Sequence, residues 1–384
     1  MDASLIASMP RVAAARWATS AVFFLNGFVL ASWVPHVPEV KARLDLSDGV
    51  LGLALLGMAL GAVVAMPLAG AVMRRFGSAA ITAFAAFAFC LAFPVPVLAS
   101  NLVWLVVGLV LFGAANGAMD VAMNGQAVAV ERLAGRPIMS SFHALFSLGG
   151  LVGAGVAGVL LSAGVEPWQH GLGTPALAAV LLVPAVWRLL PAASDAAEEG
   201  PHFARPTGAL VGLGFVAFCG LLSEGAMIDW SAVYMRDSLG AGAGMAAYGF
   251  AAYSLTMTAG RFAGDRLVAW AGPVAVLRGG GLLVAFGFGI GLLLHHPVAA
   301  MAAFAAVGLG LSNIVPVLFS AAGRTPGVSP GTGIAAVATL GYLGLLAGPP
   351  VIGLAAEIVT LPGALGLVAL FGLVVAAAGR LVRR

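Results

Sequence analysis

The chain has 384 residues, of which 61% are hydrophobic and only 9% charged, with a mean hydropathy of +1.06. A composition this apolar excludes an ordinary soluble domain and points to a polytopic membrane protein. The formal charge of +3 comes from scattered Arg rather than a basic patch, so nucleic acid is not indicated. The two cysteines, Cys90 and Cys219, both lie in apolar runs, which offers neither a disulfide framework nor a metal-ligand cluster.

A helix needs roughly 20 apolar residues to cross the hydrocarbon core, and cutting the sequence at its charged and Pro/Gly-rich breaks predicts twelve spans. The first, 17–37, is too long for a signal h-region and lacks a small-residue cleavage site, so it reads as a retained helix. Its Asn26 and Trp33, seven apart, share a face and suit either solute binding or packing. Spans 50–73 and 79–99 flank the loop GAVMRRFGS at 70–78. The fourth, 102–129, leads into the run FGAANGAMDVAMNGQAVAVE at 112–131, in which Asn116, Asp120, Asn124 and Glu131 fall on one helical face. A carboxylate near mid-membrane costs about 2.5 to 3.5 kcal/mol, so Asp120 should face the bundle interior or a watered cavity. There it can take up a proton; a helix–helix hydrogen-bond clamp is the alternative. Asn116 and Asn124, one turn to either side, can donate to Asp120 or to a solute hydroxyl. Glu131, beside Arg132 and Arg136, reads as a solvated or salt-bridging loop residue.

In the fifth span, 138–163, His143 comes to a depth similar to that of Asn124 on the antiparallel fourth. It can relay protons, bind a solute, or bond to a neighbouring helix. After the sixth span, 174–190, the longest polar break, PAASDAAEEGPHFARPTG at 191–208, reads as a cytoplasmic linker. It divides the chain into a six-helix half at 1–190, a linker at 191–207 and a second half at 208–384.

The seventh span, 208–234, holds SEGAMIDW, in which Glu224 is a second candidate for proton or solute binding. Asp229 with Trp230 suits an outer gate or solute contact, although Trp at this depth also serves as an interfacial anchor. Spans 246–268 and 273–294 flank the loop of GRFAGDRLVAWAG, which begins at Gly260. In the tenth and eleventh, 298–322 and 332–356, Asn313 precedes Pro316 and Tyr342 adjoins Gly341. Freed backbone groups at such helix breaks often line a cavity, packing being the alternative. Gly348-Pro349-Pro350 reads as a kink, and the twelfth span is 361–381. No Arg or Lys is expected in mid-membrane, so an anionic solute would lack a counter-charge, which favours neutral hydroxyl-rich or cationic solutes. No G-x-x-x-x-G-K-[ST] signature occurs, so energy must come from an ion gradient or the solute's own.

Orientation follows from Lys and Arg. With both termini cytoplasmic, fifteen of the 18 lie inside and only Lys41, Arg43 and Arg236 outside. At an offset of 195, Gly77, Gly113, Gly149, Gly153 and Gly158 pair with Gly272, Gly308, Gly344, Gly348 and Gly353. Small residues at matched steps let helices approach closely, and a duplicated six-helix half is a transporter signature.

On these features the sequence resembles the major facilitator superfamily over essentially its whole length. GAVMRRFGS looks like that superfamily's G-x-x-x-D-R-x-G-R motif, with Gly70, Arg75 and Gly77 in place but Arg74 at the acidic position. The matching second-half loop keeps Asp265 and Arg266, so the resemblance puts a charge-pair latch there rather than at Arg75. D-V-A-M-N at 120–124 and SSFHALFSLGG at 140–150 resemble elements of fucose-permease-like sugar:proton symporters, although Gly125 stands where a Pro often follows the Asn. SEGAMIDWSAVYMRD and GLGLSNIVPVLFSAAG look more like uncharacterised bacterial members of that branch.

The resemblance implies an all-α bacterial inner-membrane protein with twelve helices in two pseudo-repeat halves, no enzymatic activity and no cofactor. It implies a monomer in the bilayer that moves a small neutral, sugar-like solute inward by alternating access, coupled to protons through Asp120. Two rivals remain at this point. One is a proton-coupled exporter of cationic or amphipathic compounds, which two acids would also suit, although the Gly-Pro pair of such antiporters stands at Gly348-Pro349 and not in the fifth helix. The other is a non-transporting sensor or scaffold, against which the short loops argue.

Overall fold

Backbone N–H and C=O groups find no water in hydrocarbon, so a spanning chain has to satisfy them within helices or closed barrels. The computed structural model describes residues 3–135, 138–192, 208–326, 328 and 330–382, and among them all regular structure is helical. The first six long helices are α1 (Ala3–Ser32), α2 (Asp48–Phe76), α3 (Ser78–Ala92), α4 (Leu102–Ala134), α5 (Met139–Ser162) and α6 (Pro167–Val186). The next six are α7 (Ala209–Val233), α8 (Ala243–Ala271), α9 (Pro273–Leu294), α10 (Pro297–Gly323), α11 (Pro330–Val359) and α12 (Leu361–Ala377). Eleven described helices are long and apolar enough to cross a membrane. The remaining one, α8, is as long at 29 residues but carries Tyr248, Tyr253, Ser254, Thr256, Thr258 and Arg261.

Helix ends follow local chemistry. Pro35 and Pro38 stop α1 at Ser32, ahead of the expected end at 37, and turn the chain through a 3₁₀ turn at Val34–His36. Asn101 caps α4, its side chain accepting from the Trp104 N–H at 3.0 Å, and Gly135 at φ 63° closes it in the left-handed region. α10 is interrupted at Ser312–Asn313, where Pro316 offers no N–H to the carbonyl four residues back. α11 continues through Pro349 and Pro350. Glu131, expected as a solvated or salt-bridging loop residue, instead accepts from the Ile138 and Met139 N–H groups, both at 2.7 Å, and so caps α5.

The described chain forms two compact units, Met1–Leu44 with Gly57–Glu198, and Asp45–Leu56 with Glu199–Arg384. Of the stretch read as a linker, residues 193–207 lie outside the described residues. Within the first unit the most extensive packing is α1 on α5; within the second it is α7 on α11. Glycines set both contacts. A Cβ on Gly149 would collide with the Phe24 carbonyl, and one on Gly344 with the Phe218 carbonyl. The same holds for Gly113 against the Met58 carbonyl and for Gly308 against the Tyr253 carbonyl. Gly77 (φ 81°, ψ 159°) and Gly272 (φ 79°, ψ 158°) share one backbone conformation at matched helix starts.

One further side chain holds the first unit together. Gln126, fully buried, donates to Ser78 Oγ at 2.7 Å and to the Leu190 carbonyl at 2.9 Å, and accepts from the Leu190 N–H at 2.9 Å. It thereby ties α4 to the start of α3 and to the chain leaving α6.

Gly113→Ala and Gly308→Ala should each lower stability by about 1–3 kcal/mol, because a backbone carbonyl cannot yield to the new methyl. Gly155→Ala, which meets nothing within 4 Å, serves as the neutral control. Thermal unfolding in detergent is the measurement; equal effects at all three sites would contradict the packing account.

Candidate functional site

Among the described residues, each unit holds one polar cluster built from the acids that the sequence singles out. In the first, α4 supplies Asn116, Asp120 and Asn124 from successive turns, and α1 supplies Asn26. Asn26 Nδ2 donates to Asn116 Oδ1 at 3.0 Å and lies 3.2 Å from the Met119 sulfur. Asn124 Nδ2 donates to Asp120 Oδ1 at 3.1 Å and to the Asp120 carbonyl at 2.8 Å. Asp120 is half-buried, and among the described residues no cation pairs with it and no donor reaches Oδ2. The arrangement can hold a carboxylate by one amide hydrogen bond while leaving an oxygen for a proton or a solute hydroxyl.

In the second unit, Arg261 of α8 reaches Glu224 of α7, with Nη2 3.5 Å from Oε1. This corrects the expectation that no basic residue stands beside the intramembrane acids. Arg261 belongs to α8 itself rather than to a cytoplasmic loop, and its long stem carries the guanidinium to Glu224. A counter-charge for an anionic group is therefore present.

The other expected site residues are dispersed. Asn313 donates to the Gly260 carbonyl and to Ser312 Oγ, both at 2.9 Å, and is 7% exposed; it clamps α10 to α8 rather than facing a solute. Trp230 and Trp33 are buried, and neither indole N–H has a partner among the described residues. Trp230 lies against Gly353 of α11, and Trp33 beside His36. Asp229 is half-buried, with no hydrogen-bond or ion-pair partner among the described residues. His143 is exposed and sits edge-on to Phe23, centroids 5.4 Å apart. Tyr342 is 53% exposed on α11. Of the residues expected at a latch, Arg75 lies over the Phe76 ring at 5.3 Å and Arg266 is exposed, while the side chain of Asp265 lies outside what is described.

Sequence reasoning missed a buried imidazole pair. His36, in the turn after α1, and His170, in the first turn of α6, are 1% and 2% exposed, with Nε2 of one 2.8 Å from Nδ1 of the other. Phe93 packs edge-on against His36. Arg43 donates to the Val97 and Ala99 carbonyls at 2.6 and 3.2 Å, closing the same end of the unit. The available signal was two histidines within otherwise apolar segments.

The helices and their buried polar clusters define a multi-pass membrane protein. Residues 17–349 match the Major Facilitator Superfamily, and the chain belongs to that superfamily, a family of transporters rather than enzymes. It is 42% identical over 366 residues to an uncharacterized MFS-type transporter of Yersinia pestis, covering 95% of each chain. Among solved structures, the nucleoside transporter NupG superposes with a TM-score of 0.74 at 14% identity, covering 96% of this chain and 98% of that one. The E. coli fucose:proton symporter superposes at 0.61 and 17% identity, covering 96% and 98%. At these identities the likeness to the solved structures is one of fold.

His170→Phe keeps a ring of similar size but leaves a buried nitrogen of His36 without its partner. It should lower stability by about 1–3 kcal/mol, read by thermal unfolding in detergent, and an unchanged midpoint would show the pair to be dispensable.

Proposed function

We propose that the chain is a proton-coupled secondary transporter that moves a small neutral, hydroxyl-rich solute into the cell by alternating access, with Asp120 as the coupling acid. The observation that carries this is the environment of Asp120, half-buried on α4, hydrogen-bonded by Asn124 alone and without a cationic partner among the described residues. An uncompensated acid in a low-dielectric surround is stable when neutral and needs water when ionised. Its protonation state therefore follows whether the site is occluded or open, and that is the coupling a symporter requires. A cation beside it would hold it ionised throughout the cycle.

Asn26, Asn116 and Asn124 add amide donors and acceptors that suit hydroxyl groups. Fucose and nucleosides, which the names of the two structurally similar transporters mention, are solutes of this chemical kind. The similarity of D-V-A-M-N and SSFHALFSLGG to fucose-permease-like elements points the same way. The exporter reading is weakened by the Arg261–Glu224 pair, which removes one of the two free acids that a cationic solute would use. In this reading both termini are cytoplasmic and the chain sits in the bacterial inner membrane.

Asp120→Asn preserves size and hydrogen bonding but cannot titrate. In proteoliposomes the variant should lose accumulation driven by a pH gradient while still binding or exchanging solute, and gradient-driven uptake at the parent rate would remove Asp120 from the mechanism. A reporter fused after Arg384 should be active in the cytoplasm; activity confined to the periplasm would invert the topology.

A further inference from the structure

We propose that the open cavity between the end of α3 and the start of α4 holds one membrane phospholipid, its phosphate on Arg43 and part of an acyl chain against the cavity wall. The inference concerns a lipid and is independent of which solute the chain carries.

The cavity lies in the first unit, where α3 gives way to the short turn Pro94–Val97 and α4 begins. Pro94, Val95, Leu98, Ala99 and Trp104 line it, with Ser100 as the one polar side chain, so the wall suits hydrocarbon. Its volume of about 340 Å³ is at the lower end of the about 300–1,000 Å³ of small-molecule sites. It therefore admits part of a lipid and leaves the remainder in the bilayer. Leu98 and Trp104 are 46% and 56% exposed, and Val103 beside them 71%, so the mouth opens on the lipid-facing side of the unit. Trp104 stands in the first turn of α4, and Trp at a helix end marks the membrane–water interface. The cavity is thus at the boundary between head groups and acyl chains.

Arg43 is the independent observation. It ends the short helix Val37–Arg43 and is exposed. Its Nη2 donates to the Val97 and Ala99 carbonyls, and Ala99 is itself part of the cavity wall, so the guanidinium is fixed at the cavity edge. Both bonds use Nη2, which leaves Nε and Nη1 with no acceptor among the described residues. Glu39 and Asp45 flank Arg43 in sequence, yet no carboxylate pairs with it among the described residues. A guanidinium presents its donors as a planar fork that matches phosphate oxygens. Lipid phosphate is the anion present at this depth, and basic pockets beside membrane helices take head groups by the same chemistry. A free anion would satisfy the guanidinium and leave the apolar wall uncovered; an uncharged lipid would do the reverse. Only a phospholipid meets both.

The test uses the purified full chain, delipidated in detergent. Dioleoylphosphatidylglycerol is the probe, dioleoylglycerol supplies the same chains without phosphate, and inorganic phosphate supplies the anion without chains. Native mass spectrometry counts the lipid retained per chain, and thermal unfolding reports folding. Retention should saturate at one phosphatidylglycerol per chain, with dioleoylglycerol held about tenfold less and inorganic phosphate unable to displace the lipid. Arg43→Gln, which removes the cation, and Ser100→Trp, which fills the cavity while leaving the Arg43 bonds in place, should each weaken retention about tenfold or more. If Arg43→Gln misfolds, Ser100→Trp carries the test. Retention in Ser100→Trp equal to the parent's would overturn the site and leave only unspecific lipid around the helices. Equal retention of dioleoylglycerol would remove the phosphate, and with it Arg43, from the site. Displacement by inorganic phosphate would overturn the lipid in favour of a free anion.

Discussion

The close approach of α5 to the carbonyls of α1, and of α11 to those of α7, is the constraint on which the rest depends. In lipid, apolar side chains gain nothing by leaving the solvent for one another, so helices associate through short-range packing that only small residues permit. Gly149 and Gly153 bring α5 onto the backbone of α1 at Phe24 and Phe28, and that seating fixes Asn26, between them in sequence, against Asn116 of α4. Gly344 seats α11 on Phe218 of α7, six residues before Glu224. The polar clusters are thus held by close packing of glycine on backbone, to which their own side chains contribute nothing.

The scaffold is duplicated and the chemistry is not. Glycines matched at the offset of 195 reproduce the glycine–carbonyl contacts, yet at that offset Asp120 corresponds to Val315 and Asn116 to Leu311, while Arg261 and Tyr253 correspond to Met66 and Met58. Each unit therefore carries its own polar set on a common frame. In the first, the acid stands without a cation among the described residues; in the second, it is paired with Arg261. That difference sets the two acids in unlike electrostatic surroundings.

The sequence was most legible where a single physical rule dominated. Spans 273–294 and 298–322 meet the helices Pro273–Leu294 and Pro297–Gly323 within a residue or so, because Pro and polar breaks bound them on both sides. The first and fourth were misjudged at their ends, since α1 begins at Ala3 and α4 runs on to Ala134 before Gly135 stops it; helices continue past the apolar stretch until a backbone signal ends them. In the site, Asp120 and its flanking amides were visible as a stripe on one helix. The Asn26–Asn116 bond was not, because it joins residues ninety apart and needs the α1 register. Arg261 was hidden by its own length: counting basic residues by loop assigns the Cα, whereas the charge sits several bonds away. Asn313 could be read in sequence as lining a cavity or as packing, and its bond to the Gly260 carbonyl puts it among the packing residues.

The π turn at Tyr234–Ser238, just beyond α7, lies in the stretch where the two halves differ in length. Phe24 and Phe28 of α1 correspond to Phe218 and Leu222 at a spacing of 194, whereas from Met58 and Tyr253 onward the spacing is 195. One residue has entered the later copy, or left the earlier one, between Leu222 and Tyr253. The stretch contains that wide turn, whose counterpart in the first unit is the short helix Val37–Arg43. A π turn is how a helix absorbs a single extra residue without unwinding. The packed helices of the two halves therefore keep one spacing up to Leu222 and another from Tyr253 on, and the difference in length is confined to the turn between α7 and α8, where no packed glycine has to move.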